Sequence, residues 1–301
     1  MSKRAFVDPK IIDSVKADKT LRLDESTAHR FLRVLRLNTG APVELLDGTG
    51  RVAHGILQTQ EPAHLTQVQV EVLAQNGPRI VLAQAMVKMD KLEQIVQRST
   101  ELGVSEILLF DAERSQVNFK DKAAQKLERL TRIAEDAARQ SERSHTPAVS
   151  GPYTFALLLK ICADFQGLKV MGDLSATQTL PGLLSQELCK RLLSKLACED
   201  KLQEDLGAQN RNVLNIHEDS STKSTQRFAS EVELQKRSKQ GVLVVVGPEG
   251  GLAPEELSKL ASHEVQATLW NPNVLRTETA GMAAIAVINS MLGDGKCNQN
   301  I

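Results

Sequence analysis

The stretch that decides the fold is Val242–Gly293, with the sequence VLVVVGPEGGLAPEELSKLASHEVQATLWNPNVLRTETAGMAAIAVINSMLG. Its first part is an apolar, β-branched run (242–246), followed by the glycine-rich loop GPEGG (247–251) and a helix from about Pro254. A continuous apolar run of this length is typical of a strand buried on both faces. Proline at the start of a helix is favourable because the first helical N–H has no partner in any case.

A second unit of the same kind follows directly. It has a strand at Val265–Trp270, the turn NPN (271–273) and the segment LRTETA (275–280), which leads into an apolar terminal helix. Two strand–loop–helix units in series predict a parallel sheet whose ligands bind at the carboxyl ends of the strands. We expect the two loops to lie side by side at that edge.

Glycines in the first loop allow the main chain to approach a ligand closely, although each loop by itself is also compatible with a simple turn. Neither loop matches the phosphate-loop pattern G-x-x-x-x-G-K-[ST] or the dinucleotide pattern G-x-G-x-x-G. The two loops therefore predict a pocket for a ligand that is neither a nucleoside triphosphate nor a dinucleotide.

Composition limits the classes of protein to which the chain can belong. The 301 residues suffice for two domains, and 37 basic residues balance 37 acidic ones, so binding of RNA requires a local basic patch. An apolar run of about 18 residues, as in a membrane span, is missing, and so is a signal-peptide core. The four cysteines lack C-x-x-C spacing, which predicts no metal site, no disulfide framework and a cytoplasmic location.

Residues 1–75 have the pattern of a small, mostly β unit, with strands at 43–46, 52–58 and 65–73 and a helical segment at 26–37. His29, Arg33 and Arg36 recur on one face of that segment. This face is either an ordinary solvated surface or a contact for RNA phosphates. The sequence NGP (76–78) predicts the linker to the next domain.

The middle of the chain continues the alternation of strands and helices. A strand at 79–86, a helix at 88–102 and a strand at 104–110 favour a right-handed parallel crossover. A long helix (121–143), a helix at 153–164 and a strand at 168–171 follow, and that strand is expected to bring a third loop to the pocket. Residues 175–240, with leucine-rich and then Ser/Asn-rich composition, are interpreted as an insertion.

The pairing of GPEGG with LRTETA resembles the ribosomal RNA small subunit methyltransferase E family, which belongs to the SPOUT class. The resemblance continues at 88–114 (KMDKLEQIVQRSTELGVSEILLFDAER) and 134–147 (AEDAARQSERSHTP) and covers most of the chain outside 175–240. It implies an α/β fold: a knotted parallel-sheet methyltransferase domain at 76–301, preceded by a PUA-like RNA-binding β-barrel at 1–75. Three residues depart from the family pattern, namely Asn271 (usually Gly), Asn273 (often Arg) and Ala253 (usually Ser or Thr).

By resemblance, the chain is expected to transfer a methyl group from S-adenosylmethionine to N3 of one uridine in 16S rRNA. The implied partners are small-subunit rRNA, within an assembled or assembling 30S subunit, and a second copy of the chain in a homodimer, with no membrane. Two other functions stay open at this stage. One is 2′-O-ribose methylation of RNA by the same fold, and the other is a non-catalytic RNA-binding role in ribosome assembly.

Candidate site residues come from the two motifs, from the resemblance and from the spacing of basic residues on the segment 26–37. Arg276 and Glu278 are the candidate catalytic residues: Glu278 as a base or as a partner that holds Arg276, and Arg276 as a donor to the uracil oxygen. Glu278 is equally typical of the first turn of an ordinary helix. The candidate cofactor contacts are Gly172, Gly247, Pro248, Glu249, Gly250, Leu269, Asn271, Asn273, Val274, Leu275, Thr277 and Ala280. The candidate RNA contacts are His29, Arg33, Arg36, Arg139 and Arg143.

Overall fold

The structure is a computed structural model that describes residues 3–75, 77–115, 117, 122–190 and 241–293. Most of the predicted insertion (191–240) lies outside the described residues. So do Asn76 of the predicted linker and Asp121, the predicted start of the long helix.

The N-terminal part forms a five-stranded sheet in the order β1-β3-β4-β5-β2. Its strands are β1 (Arg4–Phe6), β2 (Leu21–Arg22), β3 (Pro42–Leu46), β4 (Arg51–Gln58) and β5 (His64–Val72). Strands β1 and β3 are parallel and the other pairs are antiparallel. The short helix α1 (Pro9–Asp13) follows β1.

The predicted helix at 26–37 is only partly correct. An α-helix, α2 (Glu25–His29), passes directly into a π-helical turn (Arg30–Val34), and Arg36 has a left-handed backbone with φ 51°. Phe31 is fully buried at the centre of the N-terminal core. Burial of this ring accompanies the wider turn.

The second sheet has six strands, all parallel, in the order β11-β9-β10-β6-β7-β8. This confirms the predicted parallel α/β architecture. The strands are β6 (Arg79–Ala85), β7 (Glu106–Phe110), β8 (Ala148–Tyr153), β9 (Gly167–Gly172), β10 (Gly241–Val246) and β11 (Gln266–Thr268). Strand β8 was not predicted.

Helices cover both faces of this sheet. They are α3 (Met89–Glu101), α4 (Ala123–Gln140), α5 (Phe155–Asp164), α6 (Pro254–Ser262) and α7 (Thr277–Leu292), and residues 180–190 are also helical. Side chains of α3, α4 and α7 belong to the core on one face, and those of α5 and α6 to the core on the other. Strand β10, with every residue buried, is shared by both cores.

The strand order adds one feature that the sequence did not indicate. Strand β9 lies between β10 and β11, so these two strands are not paired with each other. The loops that follow them nevertheless lie side by side, as expected, because Thr277 Oγ1 lies 2.7 Å from the Gly247 carbonyl oxygen, and the loop after β9, beginning at Gly172, joins them at the same edge. Three carboxyl-terminal loops therefore meet at one edge of the sheet.

Main-chain hydrogen bonds join the two sheets. The Gly50 N–H donates to the Ser144 carbonyl at 3.0 Å, the Thr146 N–H donates to the Gly48 carbonyl at 2.8 Å, and Thr49 and His145 form an antiparallel bridge. Gly50 has φ 97°, a backbone conformation that residues other than glycine rarely adopt. The loop 47–50 of the first sheet is thus fixed to the segment after α4.

Candidate active site

A cavity of about 730 Å³ lies at the carboxyl ends of β9, β10 and β11. Its volume is within the range usual for small-molecule sites. The cavity brings together Arg276, Glu278 and eleven of the twelve candidate cofactor contacts. Those eleven are Gly172, Gly247, Pro248, Glu249, Leu269, Asn271, Asn273, Val274, Leu275, Thr277 and Ala280.

Gly250 is the exception, because it does not line the cavity. Its carbonyl accepts a hydrogen bond from Arg114 Nη1 at 3.1 Å, and a Cβ atom at this position would lie 3.4 Å from Arg114 Cβ. The structure therefore places Gly250 against the loop after β7 and not in the cavity wall as predicted.

Thr277 joins the two loops that the sequence singled out. Its Oγ1 donates to the Gly247 carbonyl at 2.7 Å and accepts from Nε2 of the fully buried Gln84 at 3.1 Å. The first turn of α7 is thereby connected through one hydroxyl to the glycine loop and to β6. Each side of the cavity thus has a defined position relative to the other.

We expect Thr277→Val to lower the free energy of unfolding by about 1–3 kcal/mol, because the Gly247 carbonyl and the Gln84 amide each lose a buried partner. Urea unfolding of the purified chain measures this loss. Thr279→Val is the matched control, since Thr279 is exposed on the same helical turn and its replacement is expected to change stability by less than about 0.5 kcal/mol. Equal effects of the two substitutions would contradict the structural role of Thr277.

Asn271 makes a local turn in place of the glycine that the family usually has there. Its Oδ1 accepts a hydrogen bond from the Asn273 N–H at 2.9 Å. The residues with positive φ in the described part of the chain do not include Asn271. The turn therefore needs no left-handed backbone, and a side chain at this position does not strain it.

Ala253 likewise stands where a capping hydroxyl is usual, so the start of α6 keeps only the half of a capping box that Glu256 supplies. The Ala253 N–H donates to Glu256 Oε2 at 2.9 Å, and the Glu113 N–H donates to Glu256 Oε1 at 2.9 Å. One buried carboxylate thus holds the start of α6 and the loop after β7 together.

A group of charged side chains lies at one side of the cavity. Lys91 Nζ donates to Glu249 Oε1 at 3.0 Å and lies 3.8 Å from Glu278 Oε2, and Arg276 Nη1 lies 3.9 Å from Glu278 Oε1. The Glu278 side chain is 14% exposed, and its Oε2 is buried without a hydrogen-bond partner. A buried carboxylate oxygen without a donor is unusual in a folded protein.

The side chain of Arg276 is much more exposed than that of Glu278. Its side chain is 85% exposed at the edge of the cavity. Five N–H donors in a planar fork are therefore available to a ligand that reaches this edge.

Trp270 provides an apolar wall that the sequence analysis did not assign. Its Nε1 donates to Thr268 Oγ1 at 2.8 Å, and its ring packs against Gly172, where a Cβ atom would lie 3.1 Å from the ring. This ring fills the space left by the missing side chain of Gly172. It is the single tryptophan of the chain, a composition signal that could have drawn attention to the segment.

Lys91 is a second residue of the cavity wall that the sequence did not indicate. It lies in the first turn of α3, far in sequence from both quoted loops, and reaches the cavity only because β6 pairs with β10. Nothing local to its sequence distinguishes it from the neighbouring Lys88.

Four of the five candidate RNA contacts are exposed. His29, Arg33 and Arg36 lie at the surface around the π-helical turn. Arg139 forms an ion pair with Asp136 at 3.1 Å, and its guanidinium lies 5.8 Å from the ring centre of Phe6. These positions are compatible with contacts to phosphates, which remains a prediction.

Arg143 occupies a different environment from the predicted one. Its Nη1 donates to the Thr100 carbonyl at 2.6 Å and its Nη2 to the Val104 carbonyl at 2.8 Å. Burial lowers the pKa of its guanidinium to about 10, so it stays protonated at neutral pH. Arg143 thus binds main-chain carbonyls at the end of α3, and its half-buried position is a structural one.

Two features are missing from the described residues. They contain no helix that is long and apolar enough to cross a membrane. The same part of the chain contains no cluster of His, Cys, Asp or Glu suited to a metal ion.

The amino-acid sequence of the chain is similar to those of known RNA methyltransferases. The model of the RNA methyltransferase domain family matches residues 75–199 and 189–289. A Bacillus subtilis protein named Ribosomal RNA small subunit methyltransferase E is 28% identical over 90% of this chain and 90% of its own length. A Synechocystis protein of the same name is 28% identical over 97% of this chain and 78% of its own length.

A solved structure supports the fold. It is that of a Ribosomal RNA small subunit methyltransferase E from Neisseria gonorrhoeae bound to S-adenosyl methionine. It aligns with a TM-score of 0.66 and 22% identity over 98% of this chain and 100% of that one.

Proposed function

This chain belongs to the RNA methyltransferase domain family, and from that premise we propose that it methylates N3 of a uridine in small-subunit rRNA, with S-adenosylmethionine as methyl donor. The observation that carries the proposal is the unpartnered carboxylate oxygen of Glu278 in the wall of a cavity formed by GPEGG and LRTETA. The names of the relatives, and the donor bound to the Neisseria protein, support the choice of reaction and donor.

The residues of the cavity fit this donor. Trp270, Leu269 and Leu275 offer apolar surface to an adenine ring, and the main chain of 269–275 offers hydrogen-bonding groups. The carboxylates of Glu249 and Glu278 suit a ligand that carries a sulfonium and an ammonium charge. When bound, the donor supplies an electrophilic methyl group, whose bond to sulfur breaks as the bond to N3 forms.

Glu278 has the role of proton acceptor in this proposal. The uracil N3–H must lose its proton for the nitrogen lone pair to attack, and we assign this proton to the Glu278 carboxylate because Glu278 lines the cavity and its Oε2 accepts no hydrogen bond within the described part of the chain. Arg276 donates to a uracil carbonyl oxygen, on which negative charge grows as the proton leaves. Much of the acceleration then comes from holding N3 in line with the methyl group.

The RNA is delivered by the N-terminal unit. We assign residues 1–75 to a PUA-like RNA-binding domain, with phosphate contacts from His29, Arg33, Arg36 and Arg139, and 76–301 to a SPOUT methyltransferase domain whose terminal helix threads a knot. The proposal includes a homodimer, a cytoplasmic location and a target within the assembled or assembling 30S subunit. The partly exposed apolar side chains of α7, among them Met282, Val287 and Met291, support the dimer because they offer it a surface.

The test is methyl transfer from a labelled donor to small ribosomal subunits that lack the modification, followed by mass mapping of the modified nucleoside. We expect one 3-methyluridine per 16S rRNA. Detection of a 2′-O-methylated nucleoside would show instead that the methyl acceptor is the ribose and not the base. Binding of RNA without any transfer would indicate a non-catalytic assembly factor.

Donor binding is tested separately, through the fluorescence of Trp270. Because the chain has one tryptophan and it lines the cavity, we expect S-adenosylmethionine to change its emission in a saturable way. At a donor concentration of 100 times Kd, the free energy of unfolding should rise by about 2.7 kcal/mol. ATP and NAD are control ligands that should leave both signals unchanged. Calorimetry without any heat of binding would rule out this donor.

A further inference from the structure

Lys91 connects two segments of the cavity wall from a third element of the fold. It lies in the first turn of α3, donates to Glu249 of the glycine loop at 3.0 Å, and lies 3.8 Å from Glu278 in the first turn of α7. Neither strand–loop–helix unit of the C-terminal stretch contains it. A single ammonium group is thus shared by two carboxylates of different loops.

Lys91 interacts in different ways with Glu249 and with Glu278. The contact with Glu249 is a charge-assisted hydrogen bond, whereas 3.8 Å to Glu278 is too long for a hydrogen bond and still short enough for strong attraction between opposite charges. Lys91 therefore attracts the Glu278 carboxylate without occupying its lone pairs. This agrees with the finding that Glu278 Oε2 is buried and has no donor.

We propose that Lys91 is a positioning residue for methyl transfer, which holds the Glu278 carboxylate at the cavity and ties the glycine loop to the start of α7. The inference rests on the proposed function, in which Glu278 accepts the proton. Lys91 itself touches neither the proton nor the methyl group in this scheme. Its effect on the reaction passes through Glu278.

The charge state of the pair supports this role. Burial alone would raise the pKa of Glu249, but hydrogen bonds from its own backbone N–H and from Lys91 bring that pKa below its ordinary value. The hydrogen bond to Glu249 raises the pKa of Lys91 against the opposing effect of desolvation. The ammonium and the Glu249 carboxylate are therefore both charged across the neutral range.

The first measurement is steady-state kinetics of Lys91→Met. We expect kcat to fall by roughly ten- to a hundredfold, since a misplaced reacting group costs up to about 10² in rate, with the KM for RNA nearly unchanged. Lys91→Arg keeps the charge and should restore most of the rate. Lys88→Met is the matched control, because Lys88 is an exposed residue at the same helix end, its charge also acts on Glu249, and it does not line the cavity.

A double-mutant comparison separates positioning from general structural damage. If Lys91 acts through Glu278, then Lys91→Met should cost little further rate in a Glu278→Gln background. An equal proportional loss in both backgrounds would show that Lys91 does not act through Glu278 and would overturn the proposal.

Hydrogen exchange tests whether Lys91 joins the glycine loop to the start of α7, and it requires neither ligand nor substrate. We expect amides of 247–252 and 274–279 to exchange faster in Lys91→Met than in wild type or Lys88→Met, and to recover in Lys91→Arg. Unchanged exchange in both segments would overturn the proposal even if methylation is normal. Wild-type protein that transfers no methyl group would instead refute the proposed function, and the exchange experiment would still decide whether Lys91 joins the two segments.

Discussion

Glu278→Gln is expected to lower kcat for methyl transfer by about 10²–10⁴-fold, the usual contribution of a general base. The amide is nearly the same shape as the carboxylate, so the packing around a side chain that is 14% exposed should survive. It cannot accept the N3 proton, however, and it also removes the negative charge beside Lys91 and Arg276. Binding of the donor, followed by Trp270 fluorescence, should weaken much less than kcat falls.

Glu255→Gln is the control for this substitution. Glu255 also lies in the first turn of a helix, α6, but its side chain is 84% exposed and does not line the cavity. We expect its replacement to leave kcat unchanged. If Glu278→Gln retained near-wild-type kcat, the base would have to be another group, and Glu278 would be reduced to a partner of Arg276.

Arg276→Ala is expected to lower kcat by about 10²–10³-fold, the range observed when one donor to a developing oxyanion is removed. Its stability should hardly change, because the side chain is 85% exposed and its ion pair with Glu278 is long, at 3.9 Å. Single-turnover methylation with saturating donor and RNA measures the chemical step directly. Thermal unfolding checks that the fold is intact.

Two further variants define the role of Arg276. Arg276→Lys keeps the charge but loses the planar fork, so we expect only partial recovery of kcat. Arg132→Ala removes an arginine on α4 whose side chain is 71% exposed and does not line the cavity, and should have no effect on kcat. If the whole effect of Arg276→Ala appeared in the KM for RNA, the guanidinium would serve docking and not the transition state.

The parallel sheet could be predicted because its signals are local. The buried run of β10, with Gly247 after it and Pro254 at the start of α6, contains strand, loop and helix within a few residues. The same holds for β6 and α3. Strand β8 escaped prediction because SGPY within Ala148–Tyr153 has the composition of a turn.

The order of the strands could not be predicted in this way. Insertion of β9 between β10 and β11 depends on packing between segments about 70 to 100 residues apart, on which periodicity has no bearing. The same limit explains the omission of Lys91, which approaches Glu249 only through the pairing of β6 with β10. The partners of Arg143 were not predictable for a related reason, since its polar neighbours in sequence conceal that the Thr100 and Val104 carbonyls accept its hydrogen bonds.

The hydrogen bonds between loop 47–50 and segment 144–146 have a consequence for evolution. They are made by peptide groups, so most side-chain replacements on either side leave them in place. Surface residues of the N-terminal sheet can therefore change during evolution while the distance from that sheet to the cavity stays the same. Under the proposed function, in which the N-terminal sheet binds the RNA, the distance from that sheet to the cavity contributes to the choice of nucleotide as much as the chemistry of the site does.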